Sequence, residues 1–191
     1  GEGAQTQAVA LMEAGAQKIK AAAQETFRVK LGFLKDSERG TELWQELEPL
    51  MRKSDIDYTI FFRQLAAVLE CSDSPEMKLK QIHHAFYQAS LPDNLADEWT
   101  AWLQRWATAV LQEGDVEEVA VRLRAVNPKY VPREWMLAEA YDKAALGDYS
   151  LVHELFELFK HPYDEQPDFE DRYFSHGPEE RITQGGIAYM T

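Results

Sequence analysis

The spacing that comes nearest to a chemical device in this chain is His153-Glu154-Leu155-Phe156-Glu157. A zinc-protease helix needs two histidines at i and i+4 on one face, with a glutamate beside the first acting as base. Glu157 stands where the second histidine belongs, so a solvated polar face opposite Leu151, Leu155 and Phe159 is the stronger reading. His83 and His84 are adjacent, therefore about 100° apart on a helix, and do not readily share a metal. His83 falls at an apolar spacing and is expected to be a core or boundary histidine. His161 and His176 sit in a C-terminal segment, where a pH-sensitive contact is chemically open. Cys71, the single cysteine, excludes an internal disulfide and a multi-cysteine metal site. It reads as a buried or inert thiol and fits a reducing compartment.

No glycine pattern here cradles a phosphate. Gly-x-Gly-x-x-Gly, Gly-x-x-x-x-Gly-Lys-Ser/Thr and Gly-x-Ser-x-Gly are all missing, and Gly185-Gly186 follows no expected strand and precedes no expected helix. Trp99, Trp102 and Trp106 form an aromatic stripe that fits either a ligand surface or a core, and helical spacing favours the core. The acid pairs Glu117-Glu118 and Glu179-Glu180 read as solvated or helix-start charges. The sequence therefore assigns no catalytic residue, no cofactor-binding residue and no metal ligand.

The elements that would position these residues are nearly all helical. Val9, Met12, Ala16, Ile19, Ala23 and Phe27 recur every three or four positions through an alanine-rich segment over 4–31, with Gly32 as its stop. Lys35 to Gly40 reads as a loop and Thr41 as the next N-cap. Leu43, Trp44, Leu47 and Leu50 follow, with Pro49 expected to kink or split that helix. Asp55 or Asp57 is placed to cap a helix through Tyr58, Phe61, Phe62, Leu65, Val68 and Leu69. Ser74-Pro75-Glu76 is a helix start, with a hydroxyl, an N1 proline and an acid at the positive end. Leu79, Ile82, His83 and Phe86 continue at helical spacing. Leu91 to Asn94 is a turn before the tryptophan helix. Gly114-Asp115 and Gly147-Asp148 repeat one boundary at 33 positions, and Pro128 and Pro162 close at 34. Two copies make similar helical hairpins rather than a solenoid, which needs at least three.

Residues 161–191 carry seven acids against two arginines, together with three prolines and two paired glycines. The prolines read against helix there, while Tyr163, Phe169, Tyr173, Phe174, Ile187 and Tyr189 are too apolar for a free tail. The expected architecture is all-α: helical hairpins in an irregular bundle over 1–160, then an extended aromatic strap over 161–191 that plugs its rings into a surface.

Composition narrows the function classes. With 33 acidic against 20 basic residues and a net charge of −13, nucleic acid is not an expected partner, since phosphate binding needs clustered Lys and Arg. No apolar run approaches the roughly 20 residues of a membrane span, so no membrane partner is expected. An apolar content of 45% over 191 residues is enough for a folded core.

One resemblance goes further. Asn127-Pro128-Lys129-Tyr130-Val131-Pro132-Arg133-Glu134-Trp135, then Ala138-Glu139-Ala140 and Ala144-Ala145-Leu146-Gly147-Asp148, resembles the C-terminal region of the selenoprotein O family. His161-Pro162-Tyr163 and Asp164-Glu165-Gln166-Pro167 continue the likeness. Upstream, Phe27-Arg28-Val29-Lys30-Leu31-Gly32-Phe33, Asp57-Tyr58-Thr59 and Phe62-Arg63-Gln64-Leu65 resemble it in the same order. The resemblance covers about residues 25 to 191. It implies a longer parent with a protein-kinase-like fold that binds ATP inverted and, with Mg or Mn, transfers AMP to protein hydroxyl groups. The nucleotide and metal residues belong to that preceding portion, so none maps onto this chain. The implied partners are the kinase-like core and the parent's protein substrates. The implied location is mitochondrial in a eukaryote and cytoplasmic in a bacterium. Family members commonly end in a short tail with cysteine or selenocysteine before two serines. Here Ile187-Ala188-Tyr189-Met190-Thr191 stands where that tail would begin, consistent with a natural stop or a cut at selenocysteine. The expectation is a supporting fragment inactive alone. The alternative is a free-standing helical interaction module resting on the paired hairpins.

Overall fold

A computed structural model describes residues 2–34, 37–71 and 74–178, with side chains from residue 5 onward. Among these residues the helices are α1 (Glu2–Lys30), α2 (Glu38–Ser54), α3 (Tyr58–Glu70), α4 (Pro75–Gln81), α5 (Asp93–Val110), α6 (Val116–Val126), α7 (Glu134–Ala145), α8 (Ser150–Lys160) and α9 (Pro167–Tyr173). A 3-10 turn, His83–Ala85, follows α4. The only pairing of extended backbone among the described residues is an isolated antiparallel bridge between Ile56 and Phe86. The fold class is all-α, an irregular helical bundle.

The larger core is organised around α3 and α5. Their apolar stripes bury Ile60, Phe61, Leu65 and Val68 on one helix and Trp99, Trp102, Leu103 and Trp106 on the other. Each tryptophan of that stripe also satisfies its indole N–H. Trp99 donates to Ser54 Oγ at 2.7 Å, Trp102 to the Leu43 carbonyl at 3.1 Å and Trp106 to the Leu31 carbonyl at 2.9 Å. The tryptophan stripe is therefore core, as its spacing indicated, and it pins α2 and the end of α1 through their backbones.

Local signals explain most of the boundaries. Gly32 ends α1 at φ +85°, and a Cβ there would lie 3.1 Å from Leu123 and 3.3 Å from Val110. Asp57 caps α3 by accepting from the Ile60 N–H at 2.9 Å. Asp115 and Glu118 form a reciprocal capping box at α6. Other positions depart in whole or in part from expectation. Ser37, not Thr41, caps α2, its hydroxyl accepting from the Gly40 N–H at 3.2 Å. α2 continues as one helix through Pro49 rather than splitting, and the Gln45 carbonyl that the proline leaves without a donor lies on an exposed turn that water can solvate. α4 stops at Gln81, so His83 lies exposed in the 3-10 turn rather than in the core, with Nε2 3.2 Å from the Ala89 carbonyl.

The two Gly-Asp boundaries are alike in sequence but not in packing. Gly147 adopts φ +84° and Asp148 accepts from the Ser150 N–H, whereas Asp115 is itself the N-cap. α6 packs on α3 in the larger core, while α8 pairs with α7. That pair builds a second, smaller core from Tyr130, Trp135, Met136, Ala140, Leu151, Leu155, Leu158 and Tyr173. The segment after residue 160 does plug aromatic side chains into this surface: Tyr173 is buried, and Phe169 and Phe174 pack beside it. It is not wholly extended, however. Pro167 starts α9, because at the first helical position proline loses no hydrogen bond and its fixed φ suits the helix. Gly185-Gly186, Glu179-Glu180 and Ile187 to Thr191 lie outside the described residues.

Candidate functional site

Phe174 packs against both cores, and beside it a set of charged and polar side chains spans from one core to the other; these come from the stretches singled out in the sequence. α3 presents Arg63 from its middle, with the side chain 5% exposed. One guanidinium nitrogen donates to the Arg124 and Asn127 carbonyls at 3.2 and 3.1 Å, closing the open end of α6. The other donates to the Tyr163 carbonyl at 2.9 Å and to Glu165 Oε1 at 2.6 Å. One planar cation thus ties a helix end to the segment that follows α8. Its fixed fork of five donors suits this, where a lysine would reach fewer partners.

Lys129 extends the network. Its side chain is 3% exposed, and Nζ donates to Glu165 Oε2 and Glu170 Oε2, each at 2.8 Å. Its ammonium also lies 5.3 Å from the Phe174 ring centroid. The Lys129 and Tyr130 N–H groups both donate to the Pro162 carbonyl, at 2.8 and 3.1 Å. The Tyr130 hydroxyl shares its proton between the Glu165 and Gln166 carbonyls. Asn127 Nδ2 reaches back to the Lys30 carbonyl at 2.9 Å, capping the end of α1. Arg124 makes a two-pronged pair with Glu70 on α3.

A second cluster lies at the start of α3. Arg133, just before α7, grips Asp57 with both guanidinium nitrogens at 2.6 and 3.0 Å. The same carboxylate accepts from the Tyr87 hydroxyl at 3.4 Å. Beside it the His176 ring stacks on Tyr87 at 4.2 Å and on His84 at 5.5 Å, and His84 Nε2 lies 3.0 Å from the Phe174 carbonyl.

The electrostatics follow from these partners. Burial pushes the Glu165 carboxyl up, but Lys129 and Arg63 together outweigh it and hold it below the usual carboxylate range. Asp57 behaves alike: burial raises it, and Arg133 with the Ile60 N–H brings it lower still. Burial lowers Lys129, yet Glu165 and Glu170 leave it above an ordinary lysine. Burial drives His176 down, with Asp57 opposing.

Chemically this is a closed junction. A triphosphate needs cations or N–H groups with free capacity, whereas Arg63 and Lys129 already face carboxylates and carbonyls on their open sides. A divalent cation needs carboxylates free of competing ammonium and guanidinium groups, and Glu165 and Asp57 have none to spare. The residues of this junction do not fit ATP or its metal.

The other sequence candidates are scattered. Among the described residues, no three His, Cys, Asp or Glu side chains come together as a metal site. In the zinc-like stretch, His153 is exposed, Glu154 receives Arg172 and Tyr173 from α9, and Glu157 pairs with Lys160. Cys71 is half-buried at the end of α3, its Sγ 3.2 Å from the Val68 carbonyl. His161 is exposed, 3.7 Å from Asp164. Reading spacing along the chain missed the junction, because its members are separated by up to 102 positions. The available signal was two buried-type cations, Arg63 and Lys129, each embedded in a stretch resembling one family.

A family model described as protein adenylyltransferase SelO matches residues 7–160. The chain is 34% identical over 170 residues to the protein nucleotidyltransferase YdiU of Flavobacterium johnsoniae, covering 88% of this chain and 32% of that relative. Against YdiU of Aromatoleum aromaticum the identity is 34% over 165 residues, 85% of this chain and 30% of the relative. Against YdiU of Xanthomonas campestris pv. campestris it is 37% over 139 residues, 72% and 26%. The chain spans about a third or less of the length of these curated relatives.

Proposed function

The chain belongs to the SelO family of protein adenylyltransferases, and from that premise we propose that it is the C-terminal helical part of such an enzyme, which supports the catalytic portion and is inactive alone. In this reading ATP, Mg or Mn and the residues that move AMP to a protein hydroxyl belong to the kinase-like remainder of the parent. The observation that carries the reading is the junction. The stretches that resemble the family converge on α3, and their charged groups are occupied in holding two helical cores together. Such residues tie the two cores to each other rather than to a ligand, which is what a support requires.

The test measures AMP transfer to a protein acceptor with ATP and Mg or Mn, comparing the 191-residue chain with the full-length protein that contains it. Transfer by the full-length protein and none by the chain is the expected result. Transfer by the chain alone overturns the reading. So does a native gene that encodes no kinase-like portion with it, which would leave the free-standing interaction module.

A further inference from the structure

Along α1 an apolar seam runs uncovered. Every residue over 5–14 and 16–23 is exposed, and the stripe itself includes Val9 at 49%, Met12 at 74% and Ile19 at 73%. The seam continues a stripe whose last member, Phe27, is packed, stacking on Trp44 at 3.7 Å. One face of one helix is thus finished by this chain at its C-terminal end and left open for most of its length.

We propose that the α1 seam is the surface on which the catalytic portion of the parent protein docks, a deepening that rests on the function proposed above. Three observations select that occupant. The exposed part of α1 is poor in charge on every face: between residues 5 and 23 only Glu13, Lys18 and Lys20 ionise, in a chain that is 28% charged. A helix meant to stand in water carries polar groups around its circumference, whereas one apolar stripe calls for a partner. The relatives are about three times as long as the matched region, so the family protein holds ample chain to cover it. A second exposed apolar row, Tyr149 at the N-cap of α8 with Val152 and Phe156 on the helix, is built differently. Lys160 lies 4.8 Å over the Phe156 ring, and His153 and Glu157 interleave the row. It already has a polar cover of its own. The partner surface on the catalytic portion is therefore apolar, with a carboxylate near Lys20 and a cation near Glu13, the two charges that flank the stripe, while Lys18 lies on the opposite face.

The test places single cysteines at Met12→Cys and Ile19→Cys, with Phe156→Cys as control and Cys71→Ser in the background. Each variant is made in the 191-residue chain and in the full-length protein. Maleimide labelling is read peptide by peptide by mass spectrometry. All three positions are exposed in the chain, so the substitutions do not threaten its fold. The seam cysteines should label freely in the chain and at least roughly 10-fold more slowly in the full-length protein, while the Phe156→Cys site labels equally in both. Equal seam labelling in both overturns the docking surface and leaves the proposed function standing. Seam labelling in the isolated chain that slows as its concentration rises marks a second copy as the occupant, and also overturns it. Failure of the proposed function would register elsewhere, as AMP transfer by the chain alone. As a second readout, Ile19→Glu should leave the thermal midpoint of the chain unchanged and lower that of the full-length protein.

Discussion

Arg63 shows how one side chain decides whether two cores act as one. Its guanidinium holds the end of α6 and the segment after α8 at once, and it does so from a buried position on α3. Replacing it by methionine fills the volume but strands the Asn127 and Tyr163 carbonyls and leaves Glu165 with one cation fewer. An unsatisfied buried acceptor costs about 1–3 kcal/mol, so Arg63→Met should destabilise the chain by about 2–4 kcal/mol, read as a lower urea midpoint at pH 7. Tyr130→Phe removes only a hydroxyl and should cost about 1 kcal/mol. The carboxylates give a pH dependence with a definite sign. Asp57 and Glu165 have folded values below their unfolded ones. Their stabilisation is fully present above the unfolded carboxylate range of about 4 and is lost as the pH falls through the lower folded values. The urea midpoint should therefore fall steeply below about pH 4. Asp57→Asn should flatten that fall while lowering the midpoint at pH 7. His176 adds a smaller loss at higher pH: its folded value is depressed, so it favours the folded state less as the pH drops below about 6.5.

At the level of elements, helix ends and interruptions carry the tests. Gly32 takes a left-handed conformation at the end of α1, with Leu123 and Val110 closing over it. Gly32→Ala meets the backbone penalty of positive φ and adds contacts with Leu123 and Val110 that are tighter than most side chains make. It should destabilise by at least about 1 kcal/mol, seen as a drop in Tm. Pro49 is the opposite case. It sits exposed inside α2, where proline is the least favourable residue by about 3 kcal/mol. Pro49→Ala restores an N–H to the ladder and should raise Tm, by an amount below that figure because the helix has already adapted. α9 shows why composition alone misreads such segments. Proline count spoke against helix after residue 161, yet Pro167 occupies the one helical position where its missing donor is harmless.

For the whole molecule, two apolar cores joined by a polar junction imply limited cooperativity between them. The larger core holds Trp44, Trp99, Trp102 and Trp106, and the smaller holds Trp135. In amide hydrogen exchange α7 and α8 should open before α3 and α5, because the smaller core buries fewer apolar groups. Arg63→Met should widen that difference and split urea unfolding into two steps. A single transition in the variant would show that apolar contact, not the junction, couples the cores.

Much of this protein was legible in one dimension. Helical periodicity identified α3, α5, α6 and α8, because a residue's burial repeats every three or four positions whenever one face meets a core. Capping chemistry placed Asp115 and narrowed the α3 cap to Asp55 or Asp57, since a cap acts within three residues of itself; the structure selects Asp57. The tryptophan stripe read correctly as core for the same local reason. Stretches shared with one family pointed to the SelO relatives. What those stretches do was not legible. Arg63, Asn127, Lys129, Arg133 and Glu165 meet only after α3, α6 and the C-terminal segment have packed, and an ion pair across 102 positions leaves no periodic trace. The tertiary structure alone also decided that His83 faces solvent, since α4 ends one turn sooner than its apolar spacing indicated. It decided too that the apolar face of α1 is covered only from Phe27 onward. Periodicity records which face of a helix is apolar, while the partner that covers that face is a matter of three-dimensional packing.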